Sequence, residues 1–216
     1  MNDKLERHVV LLTERYPALQ GCRAEIERAY DILEECFLNG GKLLIAGNGG
    51  ICADADHIVG ELMKGFKLPR KCSEDFARKL KKADPKRGEA IAAKLQGGLP
   101  AIALTEHQGL NTAFMNDVEG GGDLVFAQQI YSYGKAGDVF LGISTSGNSK
   151  NVMNAVAVAR AKGMKVIAFT GAGGGELASV ADSAVKVPET ETYMIQELHL
   201  PVYHCICLML EERFFA

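Results

Sequence analysis

Short apolar runs, each followed by a helical pattern, recur along the chain and constrain its fold more than any other feature. The five runs are KLLIAGNGG (42–50), LPAIALT (99–105), DVFLGIS (138–144), MKVIAFTG (164–171) and SAVKVP (183–188). A strand that is apolar throughout needs cover on both of its faces, which is typical of parallel sheets flanked by helices. The sequence therefore predicts an α/β fold built on a doubly wound, five-stranded parallel sheet.

Helical patterns fill the remaining chain. Apolar residues at helical spacing predict two N-terminal helices, over 3–16 and 22–39, which form a helical hairpin within residues 1–40. A long C-terminal helix is predicted from about Glu191 to Phe214. Residues 67–99 are polar, charged and helix-prone, and they interrupt the alternation. We interpret them as an insertion of one or two surface helices around Asp84-Pro85, in a single domain that spans residues 1–216.

Composition excludes several classes of function. The net charge is −3, and the one basic cluster, Arg78 to Arg87, also contains Asp84, so no concentrated basic face predicts nucleic-acid binding. No apolar window approaches the length of a membrane span, and the N-terminus is charged rather than signal-like. Six cysteines occur without a C-x-x-C pair. A cytoplasmic protein with reduced thiols is therefore expected.

The loop after the third apolar run is rich in hydroxyl groups. Ser144, Thr145, Ser146 and Ser149 stand between a buried strand and the start of a helix. Backbone N–H groups at such a helix start bind anions, and hydroxyl groups add donors without adding charge. An ordinary N-cap by Ser149 is the alternative, but a cap needs only one hydroxyl group. The pattern favours a phosphate-binding loop.

A small phosphorylated metabolite fits this loop better than a nucleotide. The glycine loop Gly47-Asn48-Gly49-Gly50 does not continue as the dinucleotide fingerprint, because Cys52 stands where the third glycine belongs. No G-x-x-x-x-G-K-[ST] motif is present either.

Four polar residues lie on apolar helices. His57 and Glu61 are four residues apart, and Gln196 and His204 are eight apart, so each pair shares a helix face. Each pair alone is more simply a core or surface feature. Together they form a plausible set of nitrogen and oxygen metal ligands. Alternatively, Glu61 and His204 act as a general base and acid that move protons between adjacent carbon atoms.

The chain resembles the sugar isomerase (SIS) domain family and, within it, the phosphoheptose isomerase branch. The matching segments are AGNGG, DADHIVGEL, PAIALT, MND, GDVFLGISTSGNSKNVMNA, AKGMKVIAFTG, VKVP and IQELHLPVYH. They cover most of residues 40–210 apart from the insertion. STSGNS is typical of SIS domains in general, whereas H-x-x-x-E together with IQELHxxxxH is more specific to the heptose branch.

This resemblance implies a flavodoxin-like SIS fold and a ketose–aldose isomerase that converts sedoheptulose 7-phosphate to D-glycero-D-manno-heptose 7-phosphate through an enediol. It implies Glu61 and His204 as catalytic residues. It also implies one Zn²⁺ per subunit, and a homotetramer whose active sites lie at subunit interfaces and whose N-terminal helices serve assembly. The implied substrate-binding residues are Asn48, Gly49, Asp117, Ser144, Thr145, Ser146, Ser149 and Gln196. The implied zinc ligands are His57, Glu61, Gln196 and His204.

Two departures from the family pattern keep other functions open. Ile51 stands where the family usually has a serine, and the 67–99 insertion either narrows the site or is a passive elaboration. The alternatives are an isomerase of another phosphorylated sugar and a non-catalytic SIS adaptor or sensor. The presence of all four residues His57, Glu61, Gln196 and His204 favours catalysis over the sensor.

Overall fold

The computed structural model describes residues 3–216 and confirms the five-stranded parallel sheet. The strands are β1 (Leu43–Ala46), β2 (Ala101–Ala103), β3 (Val139–Ile143), β4 (Lys165–Thr170) and β5 (Ser183–Lys186). They lie in the order β2-β1-β3-β4-β5, and all four pairings are parallel. This is the flavodoxin-like order, in which the chain reverses direction across the sheet between β1 and β3.

Helices lie on both faces of this sheet and in the connections between its strands. They are α1 (Asp3–Arg15), α2 (Arg23–Leu38), α3 (Ile51–Met63), α4 (Glu74–Ala83), α5 (Gly88–Ala92), α6 (Gln108–Asp117), α7 (Val125–Tyr133), α8 (Lys150–Ala161), α9 (Gly175–Val180) and α10 (Thr192–Phe215). Two buried apolar clusters result. One lies between the sheet and α1, α2, α3 and α10, and the other between the sheet and α7, α8 and α9. No helix in residues 3–216 is long and apolar enough to cross a membrane.

The segment between β2 and β3 differs from the single helix that the sequence suggests. It contains α6 and α7, separated by a short 3₁₀ turn over Gly121–Asp123. Gly120 has φ 70° there, a left-handed conformation that glycine adopts without a steric penalty. The consecutive glycines 120–122 therefore lie in the turn between α6, which ends at Asp117, and α7, which begins at Val125.

The apolar stripes of the N-terminal helices are used inside the chain itself. Leu5, Val9 and Leu12 of α1 and Ile26 and Leu33 of α2 are at most 5% exposed. They belong to the same apolar cluster as buried residues of α10 and the sheet. The stripes are therefore explained by packing within one chain and do not by themselves indicate a partner.

The segment 67–99 has two structurally different parts. Helices α4 and α5 lie on either side of Asp84-Pro85, and α4 buries none of its side chains. By contrast, the base of the segment is anchored, because Lys71 pairs with Gln96 in an antiparallel bridge and Gly97 N–H donates to the Arg70 carbonyl at 2.7 Å.

A buried ion pair joins this base to the C-terminal helix. The side chains of Arg70 and Glu211 are 0% and 2% exposed, and Arg70 Nε lies 2.8 Å from Glu211 Oε1. The guanidinium also donates to the carbonyls of Leu62 at 2.7 Å and Glu61 at 2.9 Å, which lie in the last turn of α3. Glu211 accepts the backbone N–H groups of residues 66, 67 and 68. The pair thus ties α3 to α10.

Removal of Arg70 should be strongly destabilising. In Arg70→Met the carboxylate of Glu211 stays buried without its counter-ion, and the free energy of unfolding should fall by about 3–5 kcal/mol. Urea titration followed by circular dichroism measures the change. The control is Arg87→Met, which breaks the exposed Arg87–Asp84 ion pair in the same segment and should cost about 1 kcal/mol or less. Equal losses in the two variants would contradict this role of Arg70.

Candidate functional site

The hydroxyl loop lies where the sheet order reverses. It follows β3, and the glycine loop 47–50 follows the adjacent strand β1, so both loops emerge at the carboxyl ends of neighbouring parallel strands. Ligands of doubly wound sheets bind in the crevice at this position. A reciprocal amide pair joins the glycine loop to the first turn of α8, with Asn48 and Asn151 donating to each other at 2.9 and 2.8 Å.

The hydroxyl loop is held by the loop that follows β4. Gly171 N–H donates to the Thr145 carbonyl at 3.0 Å, and Leu177 N–H donates to the Gly147 carbonyl at 2.9 Å. Gly147 has φ +67°, and a Cβ atom there would lie 2.0 Å from the Gly174 carbonyl oxygen. Only glycine fits this approach, so the loop has one defined shape before any ligand binds.

Ser149 occupies the N-cap position of α8 but does not act as a cap. Its side chain accepts no capping hydrogen bond. Its Oγ atom lies 2.9 Å from Oγ of Ser144 instead, and Ser146 Oγ accepts the N–H of Asn148 at 3.2 Å. The start of α8 is therefore not closed by its own serine. This geometry fits an anion-binding loop better than the ordinary N-cap.

The second cluster lies on the facing surfaces of α3 and α10. His57 Nε2 lies 3.2 Å from Glu61 Oε1 and 3.3 Å from His204 Nε2. The structure thus brings together three of the four residues that were predicted as metal ligands. Burial, and next the neighbouring His57, lower the pKa of His204 below its usual value, while Glu61 acts in the opposite direction.

Glu61 is the most enclosed member of this cluster. Its side chain is 12% exposed, and its Oε2 atom is buried without a hydrogen-bond partner. The ammonium group of Lys64 is 3.8 Å away, which is an ion-pair distance and not a hydrogen bond. A buried carboxylate oxygen without a partner is costly, and such atoms are often explained by a ligand or metal ion.

The donor chemistry of this cluster suits zinc. Tetrahedral zinc with bonds of about 2.0–2.1 Å has ligand atoms about 3.3 Å apart, close to both contacts of His57. Within residues 3–216, however, no group of three or more His, Cys, Asp or Glu side chains is arranged as a complete metal site. The two contacts share His57, and Glu61 and His204 form no ion pair with each other.

Two further predicted residues, Gln196 and Asp117, make no hydrogen bond to the cluster of His57, Glu61 and His204 within residues 3–216. The Gln196 amide lies against the glycine loop, since a Cβ on Gly50 would be 3.5 Å from its Oε1 atom. No hydrogen bond in residues 3–216 joins Gln196 to His57 or Glu61. Asp117 ends α6, is exposed, and accepts from Asn116 at 2.9 Å. Its contacts within the described chain do not link it to either cluster.

Ile51 is a packing residue. Its side chain is 4% exposed and belongs to the main apolar cluster. A Cβ on Gly47 would lie 2.3 Å from Ile51 Cγ2, so the side chain packs tightly on the glycine loop from the core side. Ile51 therefore supports the glycine loop by apolar packing.

Sequence reasoning missed two residues beside the histidine cluster, Asp54 and Tyr203. The Tyr203 hydroxyl donates to Asp54 Oδ1 at 3.2 Å and contacts His57 Nδ1 at 3.0 Å. Asp54 is one turn before His57 on α3, and Tyr203 directly precedes His204, so their positions on the two helices were the available signal. The structure also places His199 in the core, with Nε2 3.3 Å from the Thr170 carbonyl oxygen, and burial lowers its pKa to about 4.

Comparison with known proteins identifies the class of protein. The family model of the SIS domain matches residues 86–171. The phosphoheptose isomerase of Aneurinibacillus thermoaerophilus is 36% identical over 100% of this chain and 96% of its own length. The solved phosphoheptose isomerase of Neisseria gonorrhoeae superposes with a TM-score of 0.71 at 33% identity, covering 96% of this chain and 98% of that one. That of Francisella tularensis gives a TM-score of 0.74 at 29% identity, covering 98% and 100%.

The fold and the hydroxyl loop are therefore those of an SIS-domain protein. More specifically, the chain belongs to the phosphoheptose isomerase family, a family of enzymes.

Substitution of Ser149 tests directly whether the hydroxyl loop binds anions. Ser149→Ala loses the hydrogen bond to the buried hydroxyl group of Ser144, so the free energy of unfolding should fall by about 0.5–1.5 kcal/mol. Its affinity for inorganic phosphate should fall by roughly two- to tenfold, as expected for one neutral hydrogen bond. Urea titration and calorimetry measure the two effects.

Ser73 provides the matched control. It caps α4, accepting the N–H of Phe76 at 3.3 Å, and it lies in the 67–99 segment. Ser73→Ala should lose about 1 kcal/mol of stability and keep its phosphate affinity. The two variants therefore differ in phosphate affinity, and a Ser149→Ala variant that binds phosphate like wild type would restore the simple N-cap interpretation.

Proposed function

We propose that this protein is a phosphoheptose isomerase that converts sedoheptulose 7-phosphate to D-glycero-D-manno-heptose 7-phosphate. One observation carries the proposal beyond membership of the family. This chain contains both the hydroxyl loop, which suits a phosphate group, and the buried carboxylate of Glu61, which can accept a proton.

In the proposed reaction the phosphate group binds the loop through Ser144, Thr145, Ser146 and Ser149. Asn48, Gly49, Asp117 and Gln196 contact the sugar. Glu61 removes a proton from the carbon next to the carbonyl and returns it to the neighbouring carbon, through an enediol. His204 exchanges protons with the two oxygen atoms. Its lowered pKa supports this role, because a neutral imidazole at neutral pH offers both an N–H donor and an acceptor nitrogen.

We further propose one Zn²⁺ per subunit, held by His57, Glu61, Gln196 and His204. The spacing around His57 and the unpartnered Glu61 oxygen support this assignment. Bound zinc would polarise the carbonyl and hydroxyl oxygens of the sugar.

We propose a homotetramer with active sites at subunit interfaces. A groove between α1 and α10 that extends to His204, with Leu11 and Leu200 half-exposed along it, supports a subunit contact beside the site. We propose a cytoplasmic location, supported by six cysteines that are all free.

The decisive experiment is a turnover assay with purified protein and sedoheptulose 7-phosphate. It is run on the protein as isolated, after chelation, and after zinc is restored. We expect aldose formation that chelation removes and zinc restores. Activity that is indifferent to chelation would remove the metal and leave Glu61 and His204 as base and acid. Absence of aldose from folded protein under all three conditions would contradict the proposed reaction.

Glu61→Gln tests the proposed base. The variant keeps the shape of the side chain but cannot accept the proton, so kcat should fall by about 10²–10⁴-fold. The control is Asp56→Asn, which removes an exposed carboxylate from the same helix and should keep kcat within about twofold. Wild-type turnover in Glu61→Gln would exclude Glu61 as the base.

A further inference from the structure

The hydroxyl group of Tyr203 connects two polar side chains of α3. It lies 3.2 Å from Asp54 Oδ1 and 3.0 Å from His57 Nδ1. Tyr203 is only 2% exposed, and its ring packs edge-on against the rings of His57 and His204, with centroid distances of 5.4 and 5.0 Å. The phenol group is therefore held in place by packing and hydrogen bonds together.

The directions of these hydrogen bonds follow from the chemistry of the three groups. An ionised carboxylate only accepts, so the single phenolic proton of Tyr203 goes to Asp54. The phenolic oxygen is then left to accept, and the group that faces it is Nδ1 of His57. With the phenolic proton directed to Asp54, Nδ1 carries the hydrogen atom of this contact.

The second ring nitrogen of His57 is thereby directed to the site. Nε2 is the atom 3.2 Å from Glu61 Oε1 and 3.3 Å from His204 Nε2. A histidine that binds a metal through one nitrogen generally donates the other N–H to an oxygen that fixes the ring and its tautomer. The hydrogen bonds that link Asp54, Tyr203 and His57 have this arrangement, with the tyrosine placed between the carboxylate and the imidazole.

We propose that Tyr203, backed by Asp54, is a positioning residue that keeps Nδ1 of His57 protonated and presents Nε2 as the ligand atom for zinc. This inference rests on the metal site proposed above. Tyr203 does not touch the reacting carbons in this arrangement. It acts through the tautomer and the orientation of His57, so its removal should weaken metal binding before it affects the fold.

The test measures zinc affinity by competition with a chromogenic chelator, using the full chain. Tyr203→Phe removes only the hydroxyl group and should bind zinc about 10–100-fold more weakly than wild type. Asp54→Asn keeps an oxygen that accepts from Tyr203 but loses the charge, so its loss should be smaller. Tyr30→Phe removes another buried tyrosine hydroxyl group, on α2, and should bind zinc like wild type.

A second readout does not need zinc. Nitrogen-15 NMR of the metal-free protein should show Nδ1 of His57 protonated in wild type and in Tyr30→Phe. In Tyr203→Phe the tautomer with the hydrogen on Nε2, facing Glu61, should increase. Wild-type affinity and an unchanged tautomer in Tyr203→Phe would overturn the inference. If wild type itself binds no zinc, the proposed metal site fails, and the tautomer measurement alone decides whether Tyr203 positions His57.

Discussion

A guanidinium group and a carboxylate that lie buried against each other hold the two halves of the candidate active site together. Arg70 binds the last turn of α3, which carries His57 and Glu61, and Glu211 lies on α10, which carries Gln196 and His204. Both side chains are at most 2% exposed. An ion pair of this kind adds little net stability compared with apolar packing, but it strongly penalises arrangements in which either partner is left alone. It therefore favours one relative position of the two helices.

The hydroxyl loop depends on a different constraint, which is the close approach of its backbone to the backbone of the loop after β4. Gly147 passes so near to Gly174 that no Cβ atom fits between them. This contact links the loop after β3 to the loop after β4 and places the hydroxyl groups before a ligand arrives. A loop that is already ordered loses less conformational entropy on binding, so a small phosphate group can be bound with few contacts.

Local sequence pattern was sufficient for the sheet and for the helix faces that carry His57, Glu61 and His204. Continuous apolar runs indicated buried parallel strands, and the spacing of His57 from Glu61 placed both on one helix face. The split between α6 and α7 was not predicted, although Gly120 to Gly122 were visible in the sequence. The network of Asp54 and Tyr203 was also missed, because it joins side chains 149 residues apart and no periodicity reports such a contact.

The sequence by itself determined the α/β class, the five strands, the hydroxyl loop and the helix faces that carry His57, Glu61 and His204. These follow from periodicity and local chemistry, which act over a few residues. Only the tertiary structure decided that Ser149 faces Ser144 instead of capping α8, that Ile51 packs into the core, and that Arg70 binds Glu211. The physical reason is that each of these side chains had several partners compatible with its local pattern. The choice among them depends on which distant groups the fold brings within hydrogen-bonding or packing distance.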